Sequence, residues 1–138
     1  MNELISAQEK ILEWAKQETL VRALFWYGSY STKKEKADSD LDVAVLFDPH
    51  TTPNWKKLAS MIGDVRLSRR APPSAGRATF FLGESLRRVD ISWATAEAEL
   101  SWLADCPEVP EPRLVLAFDR DGAGHSLALR ASAQLAID

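Results

Sequence analysis
The stretch from Gly28 to Phe47, GSYSTKKEKADSDLDVAVLF, holds the residues whose types and spacing could do chemistry. Gly28 and Ser29 stand at the tip of an apolar run, VRALFWY. A polar segment follows, and Asp40-Leu41-Asp42 then opens a second apolar run. Alternate side chains of a strand share a face, so Asp40 and Asp42 would point the same way, about 6–7 Å apart along the backbone. Leu41, Val43, Val45 and Phe47 would take the opposite face, towards a helix layer. Two carboxylates on one face at a strand start suit a pair of Mg²⁺ ions about 3.5–4 Å apart. Mg²⁺ takes one or two protein carboxylates and leaves its other positions to water and substrate phosphates. Gly28 would let the backbone approach a triphosphate closely. Ser29 would donate to a phosphate oxygen through its hydroxyl and its N–H.

Such a site needs a third carboxylate, and Asp90 is the candidate. It lies between Val89 and Ile91, whose apolar side chains would face the other way. A carboxylate inside a central strand is costly unless it is solvated in a cleft or paired with a cation. A shared metal would resolve that cost, and Asp90 could also act as general base towards a hydroxyl. Ser and Asp ahead of a strand also serve as turn residues. The joint pattern, rather than any one of its parts, points to chemistry.

These groups must be positioned by regular elements. The spacing of Leu4, Ile5, Ile11, Leu12 and Ala15 predicts an amphipathic helix over 3–18. Residues 21–27 and 40–47 read as strands, the second closed by Asp48-Pro49. A second helix is predicted over 54–65, with Trp55, Leu58, Ala59 and Ile62 on one face and Pro53 near its start. Residues 66–76 read as a loop, and 77–82 and 88–93 as a β-hairpin around Gly83-Glu84-Ser85. A short helix over 95–104, a Pro-rich connector, a last strand over 113–118 and an apolar helical tail from Ser126 to Ile137 complete the series. Two consecutive strands and a later hairpin make an α+β pattern with a mixed β-sheet flanked by helices.

Composition narrows the function classes. The 138 residues amount to one domain, 46% of them apolar and 27% charged. The single cysteine, Cys106, excludes an internal disulfide, and with only two scattered histidines it argues against zinc. No apolar run reaches the roughly 20 residues that span a bilayer, and the polar N-terminus has no signal-peptide core. A cytoplasmic protein with no membrane partner is expected. The net charge of −3 argues against a nucleic-acid partner. The local basic groups Lys33, Lys34, Lys36 and Arg66, Arg69, Arg70 read as solvated loops. Most of the five tryptophans read as core or interface residues. No Walker loop or G-x-G-x-x-G is present.

Gly28-Ser29, about ten residues, Asp38-Ser39-Asp40-Leu41-Asp42 and a third Asp on a later strand together resemble the DNA polymerase β-type nucleotidyltransferase superfamily. Within it the chain is most similar to the aminoglycoside nucleotidyltransferases, in particular the streptomycin adenylyltransferase-like group. The hairpin FFLGESLRRVDISWA looks like that group's strand-turn-strand with the third carboxylate, and LVLAFDRDG like its later strand and Asp-x-Asp-Gly. The resemblance covers roughly residues 10–122. It implies a nucleotidyltransferase fold, with Gly28 and Ser29 on the triphosphate and Asp40, Asp42 and Asp90 as catalytic metal ligands. Mg²⁺ (or Mn²⁺) would be the cofactor and ATP or another nucleoside triphosphate the co-substrate. A small hydroxylated acceptor such as an aminoglycoside would attack the α-phosphorus and release pyrophosphate, a reaction that confers antibiotic resistance in such relatives. Asp119 and Asp121 read as caps of the last strand's turn rather than as ligands. The chain reads as a single domain, 1–138, without the helical C-terminal domain of larger relatives.

Two other readings stand beside this one. A minimal nucleotidyltransferase of this size can serve as an antitoxin that adenylylates a HEPN-type toxin, which would make the acceptor a partner protein. A catalytically inactive nucleotide-binding module would keep the fold without turnover. The apolar tail LALRASAQLAI is expected to dock on the domain or on a second copy, which would give a homodimer.

Overall fold
Helix α1 (Glu3–Gln17) buries Ala7, Ile11, Trp14 and Ala15, which recur at helical spacing and make one apolar stripe. Glu9, Lys10, Glu13, Lys16 and Gln17 face water. Ile5, expected on the apolar side, is 47% exposed, and Trp14 carries the stripe in its place. The computed structural model describes residues 3–27, 41–69, 75–82, 87–96, 99–100, 114–120 and 122.

After α1 the described elements are β1 (Val21–Tyr27), β2 (Leu41–Phe47), α2 (Lys56–Ile62), β3 (Gly63–Arg69), β4 (Ala75–Leu82), β5 (Arg87–Ala94) and β6 (Leu114–Asp119). They build one six-stranded sheet in the order β3-β4-β5-β2-β1-β6. Only β2 and β5 run parallel, and every other neighbouring pair is antiparallel. The sheet is therefore mixed, and the fold is α+β as the sequence pattern predicts. The two central strands, β5 and β2, are covered on both edges by others, which agrees with their apolar content.

Both described helices pack on one face of this sheet. Ala7, Ile11, Trp14 and Ala15 from α1 join Trp55 and Leu58 in a core with Leu41, Val43, Val45, Phe47, Ala78, Phe80, Val89 and Ile91. The expected orientation of Leu41, Val43, Val45 and Phe47 towards a helix layer is thus observed. Trp14 meets Trp55 at 5.6 Å and Phe47 at 6.2 Å between ring centroids. Trp55 also meets Phe80 edge-on at 6.0 Å. Such edge and tilted contacts add to the burial of the rings.

The opposite face grades from apolar to polar along the strands. Phe25, Ala44, Leu46 and Ala94 form a second small core, closed by Leu100. One step nearer the start of β2 and β5, that face carries Asp42 and Asp90. A register shift between Val21 and Ala23 lets β1 serve both cores, with Val21 and Leu24 in one and Ala23 and Phe25 in the other.

Three expected segments are corrected. The helix expected over 54–65 ends at Ile62, and the next residue already begins β3. Gly63 makes this junction with φ +146°, and a Cβ there would lie 2.1 Å from the Phe81 carbonyl oxygen. Only glycine has neither conflict. Residues 66–69, expected in a loop, are consequently the second half of the edge strand β3, and Arg66 and Arg69 sit on a strand. Of the helix expected over 95–104, residues 95 and 96 are non-helical and 99–100 form part of a 3₁₀ turn. The rest of that segment, the Pro-rich connector and the tail from 126 to 137 lie outside the described residues, and with them the homodimer contact.

Arg120 ties the last strand back to the first helix. Its Nε donates to the Val21 carbonyl at 2.9 Å, and its Nη2 reaches the Ala15 carbonyl at 3.1 Å and the Lys16 and Glu18 carbonyls at 3.3 and 3.4 Å. The Ala15 and Lys16 carbonyls belong to the last turn of α1, whose acceptors have no intrahelical partner. A cation there also complements the helix dipole. The neighbouring Asp119 accepts the Gly122 N–H at 2.9 Å, which is the turn-capping role expected for it.

Candidate active site
The site is built from the register of five strands. Asp42 on β2 stands directly opposite Asp90 on the parallel strand β5. Directly paired residues share a face, and neighbouring strands lie about 4.8 Å apart. On its other side Asp42 pairs with Tyr27, the last residue of β1. Asp90 pairs in turn with Thr79 on β4, and Thr79 with Arg66 on β3. Paired residues therefore run across the sheet from Tyr27 through Asp42, Asp90 and Thr79 to Arg66, and Asp42, Asp90, Thr79 and Arg66 share the face away from α1 and α2.

Local packing holds the two carboxylates. Asp42 lies between Leu41 and Val43, and Asp90 between Val89 and Ile91, all four of them fully buried in the helix-side core. The apolar neighbours anchor each strand and leave the aspartates half-buried on the other face. Asp90 Oδ1 accepts a hydrogen bond from the Thr79 hydroxyl at 2.9 Å, so part of its desolvation is compensated within the hairpin. At the edge of the same row, the Arg66 guanidinium lies 5.4 Å from the centre of the Phe81 ring.

Of the five residues expected to do chemistry, Asp42 and Asp90 are brought together across a single strand pair, though they are 48 positions apart in the chain. Gly28, Ser29 and Asp40 lie outside the described residues. Tyr27 and Leu41, the chain neighbours of Gly28 and Asp40, end the neighbouring strands β1 and β2. Among the described residues no three His, Cys, Asp or Glu side chains gather into a metal-holding group. The pair that is described offers only hard carboxylate oxygen, which suits Mg²⁺ or Mn²⁺ and not the softer metals. One or two carboxylates are what a Mg²⁺ ion that also binds a nucleotide takes from its protein. The residues present therefore fit the cation.

Thr79 is the member of the site that sequence reasoning missed. The signal for it was the alternation Arg77, Thr79, Phe81 in the strand paired with β5. Reading it requires the hairpin register, which depends on the turn between Leu82 and Arg87.

Residues 9–71 match the family model described as Polymerase beta, Nucleotidyltransferase. The matched span runs from α1 to the end of β3 and contains Gly28, Ser29, Asp40 and Asp42. It supports the nucleotidyltransferase superfamily and, with it, a general nucleotidyltransferase function. Asp90 lies beyond the span, so its place beside Asp42 is an independent structural observation. No curated protein matches the chain. A nucleotidyltransferase domain implies a nucleoside triphosphate as substrate. Among the described residues no helix is long and apolar enough to cross a membrane.

Proposed function
We propose that this chain is a cytoplasmic enzyme that transfers a nucleoside monophosphate from a nucleoside triphosphate, ATP in the first instance, to a hydroxyl of a small acceptor such as an aminoglycoside. The observation that carries the proposal is the direct pairing of Asp42 with Asp90 on the face opposite α1 and α2. The match over 9–71 supports it independently, because that span holds the Gly-Ser and Asp-x-Asp elements.

In this reading Asp40, Asp42 and Asp90 hold Mg²⁺ or Mn²⁺, and Gly28 and Ser29 bind the triphosphate. The metal, when bound, supplies charge stabilisation for the attacking and leaving oxygens. The chain's own contribution is to present both carboxylates from rigid central strands, so that their positions are set before substrate arrives. Asp90, at the β5 side of the pair, is the group placed to accept the proton of the acceptor hydroxyl.

Incubation of the protein with ATP, Mg²⁺ and a panel of aminoglycosides tests this. A mass increase of one AMP on an acceptor, abolished in Asp90→Asn, is the expected result. AMP transfer to a co-expressed helical partner protein, with none to the small acceptors, would replace the small acceptor by the toxin-type target. Nucleotide binding without transfer to either would leave an inactive module.

A further inference from the structure
We propose that Thr79 is a positioning residue that sets the orientation of the Asp90 carboxylate for metal binding, an inference that rests on the role assigned to Asp90 above. The β4–β5 hairpin places Thr79 directly opposite Asp90, and the Thr79 hydroxyl donates to Oδ1 at 2.9 Å in a part-buried setting. A carboxylate rotates readily about its last torsion, because that torsion has only broad, shallow minima. A donor on one oxygen removes this freedom. Thr79 is β-branched, so its own first torsion is stiff and the donor is held in place. With Oδ1 engaged, Oδ2 is the oxygen left to face a cation at the Asp42 side. A neutral hydroxyl does this without cancelling the charge that attracts the metal, which an arginine or lysine at the same position would do.

Strand packing alone does not call for this hydroxyl. Valine has nearly the same shape and an equal or better fit to a strand. The hydroxyl is therefore the part of the side chain whose removal isolates the positioning role. Partners of ligating groups typically contribute 10- to 100-fold to metal affinity or activity.

The test is a titration of Mn²⁺ alone, followed by electron paramagnetic resonance, into the full chain and into Thr79→Val, Thr79→Ser and Asp90→Asn. Thermal melting of each variant is measured without metal. Thr79→Val is expected to weaken Mn²⁺ binding about 10- to 100-fold and, through the hydrogen bond it loses, to lower the metal-free melting temperature by no more than a few degrees, while Thr79→Ser keeps the donor and restores most of the binding. Asp90→Asn is expected to weaken binding at least as much as Thr79→Val. If Asp90→Asn weakens binding and Thr79→Val does not, the positioning role is overturned while the site assignment survives. If Asp90→Asn binds Mn²⁺ like the starting protein, or that protein binds none, the site assignment itself fails. Equal losses in Thr79→Val and Thr79→Ser with a lowered melting temperature would show a packing effect and also overturn the proposal.

Discussion

Replacing Arg120 by alanine is expected to destabilise the fold by about 3 kcal/mol. The guanidinium makes two part-buried hydrogen bonds, to the Val21 and Ala15 carbonyls at 2.9 and 3.1 Å. Each has a net value of about 1 kcal/mol, allowing for competition with water. Its contacts with the Lys16 and Glu18 carbonyls are longer, at 3.3 and 3.4 Å, and exposed, so they add little. A cation at a helix C-terminus contributes about 0.3–1 kcal/mol. Its position 5.0 Å from the Phe118 ring centre adds about 0.5 kcal/mol at an exposed site. Urea unfolding followed by tryptophan fluorescence reads the loss directly, since Trp14 lies in the helix that Arg120 secures. Arg120→Lys keeps the charge but lacks the planar fork, and it should recover no more than about 1 kcal/mol. Molar salt should narrow the gap between Arg120→Lys and Arg120→Ala, because the dipole contribution is screened. A loss below about 0.5 kcal/mol for Arg120→Ala, the range of ordinary surface substitutions, would refute the clamp. So would full stability in Arg120→Lys, which would leave charge alone as the cause.

Two further substitutions test how the site is held. Gly63→Ala forces a Cβ to within 2.1 Å of the Phe81 carbonyl at a φ of +146°, and a loss of at least about 2–3 kcal/mol is expected in chemical denaturation; near-native stability would contradict the tight α2–β3 junction. Trp14→Ala empties the centre of the aromatic cluster on the helix side, where Trp14 is fully buried against Trp55 and Phe47. It should cost about 3–5 kcal/mol in the same measurement, and a loss under about 1 kcal/mol would mean that α1 is not anchored there.

Period-two alternation made much of the site legible. Leu41, Val43, Val45 and Phe47 could be assigned to the helix side because Asp40 and Asp42 mark the other face of an otherwise apolar run. The same logic singled out Asp90 between Val89 and Ile91. What alternation cannot express is which strands become neighbours. The pairing of β2 with β5 joins residues 48 positions apart and depends on everything folded between them. The hydrogen bond from Thr79 was hidden for a related reason, since a one-residue slip of the hairpin would place another side chain opposite Asp90.

The β3 strand was misread because the chain passes from α2 to β3 without a loop. Met61, Ile62 and Val65 all pack partly against the helix-side core, so their apolar character fits a helix as well as a strand. Gly63 was the available stop signal, at the position that commonly ends a helix. Leu67, 61% exposed on an edge strand, gave the apolar pattern no core to report. Ile5 lies off the buried stripe for a simpler reason: a slight rotation of the helix brings Trp14, one of the tryptophans read as core or interface residues, to the centre of the core instead.

The central claim, that Asp42 and Asp90 belong to a nucleotide and metal site, is tested most directly by thermal melting with and without ATP and Mg²⁺ in the starting protein and in Asp42→Asn. A ligand at one hundred times its Kd stabilises the folded state by about 2.7 kcal/mol, so a rise of several degrees that requires Mg²⁺ is expected. The rise, measured against each protein's own unliganded melting temperature, should be lost in Asp42→Asn. An equal rise in Asp42→Asn, or no Mg²⁺-dependent rise with any of the four nucleoside triphosphates, would contradict the claim.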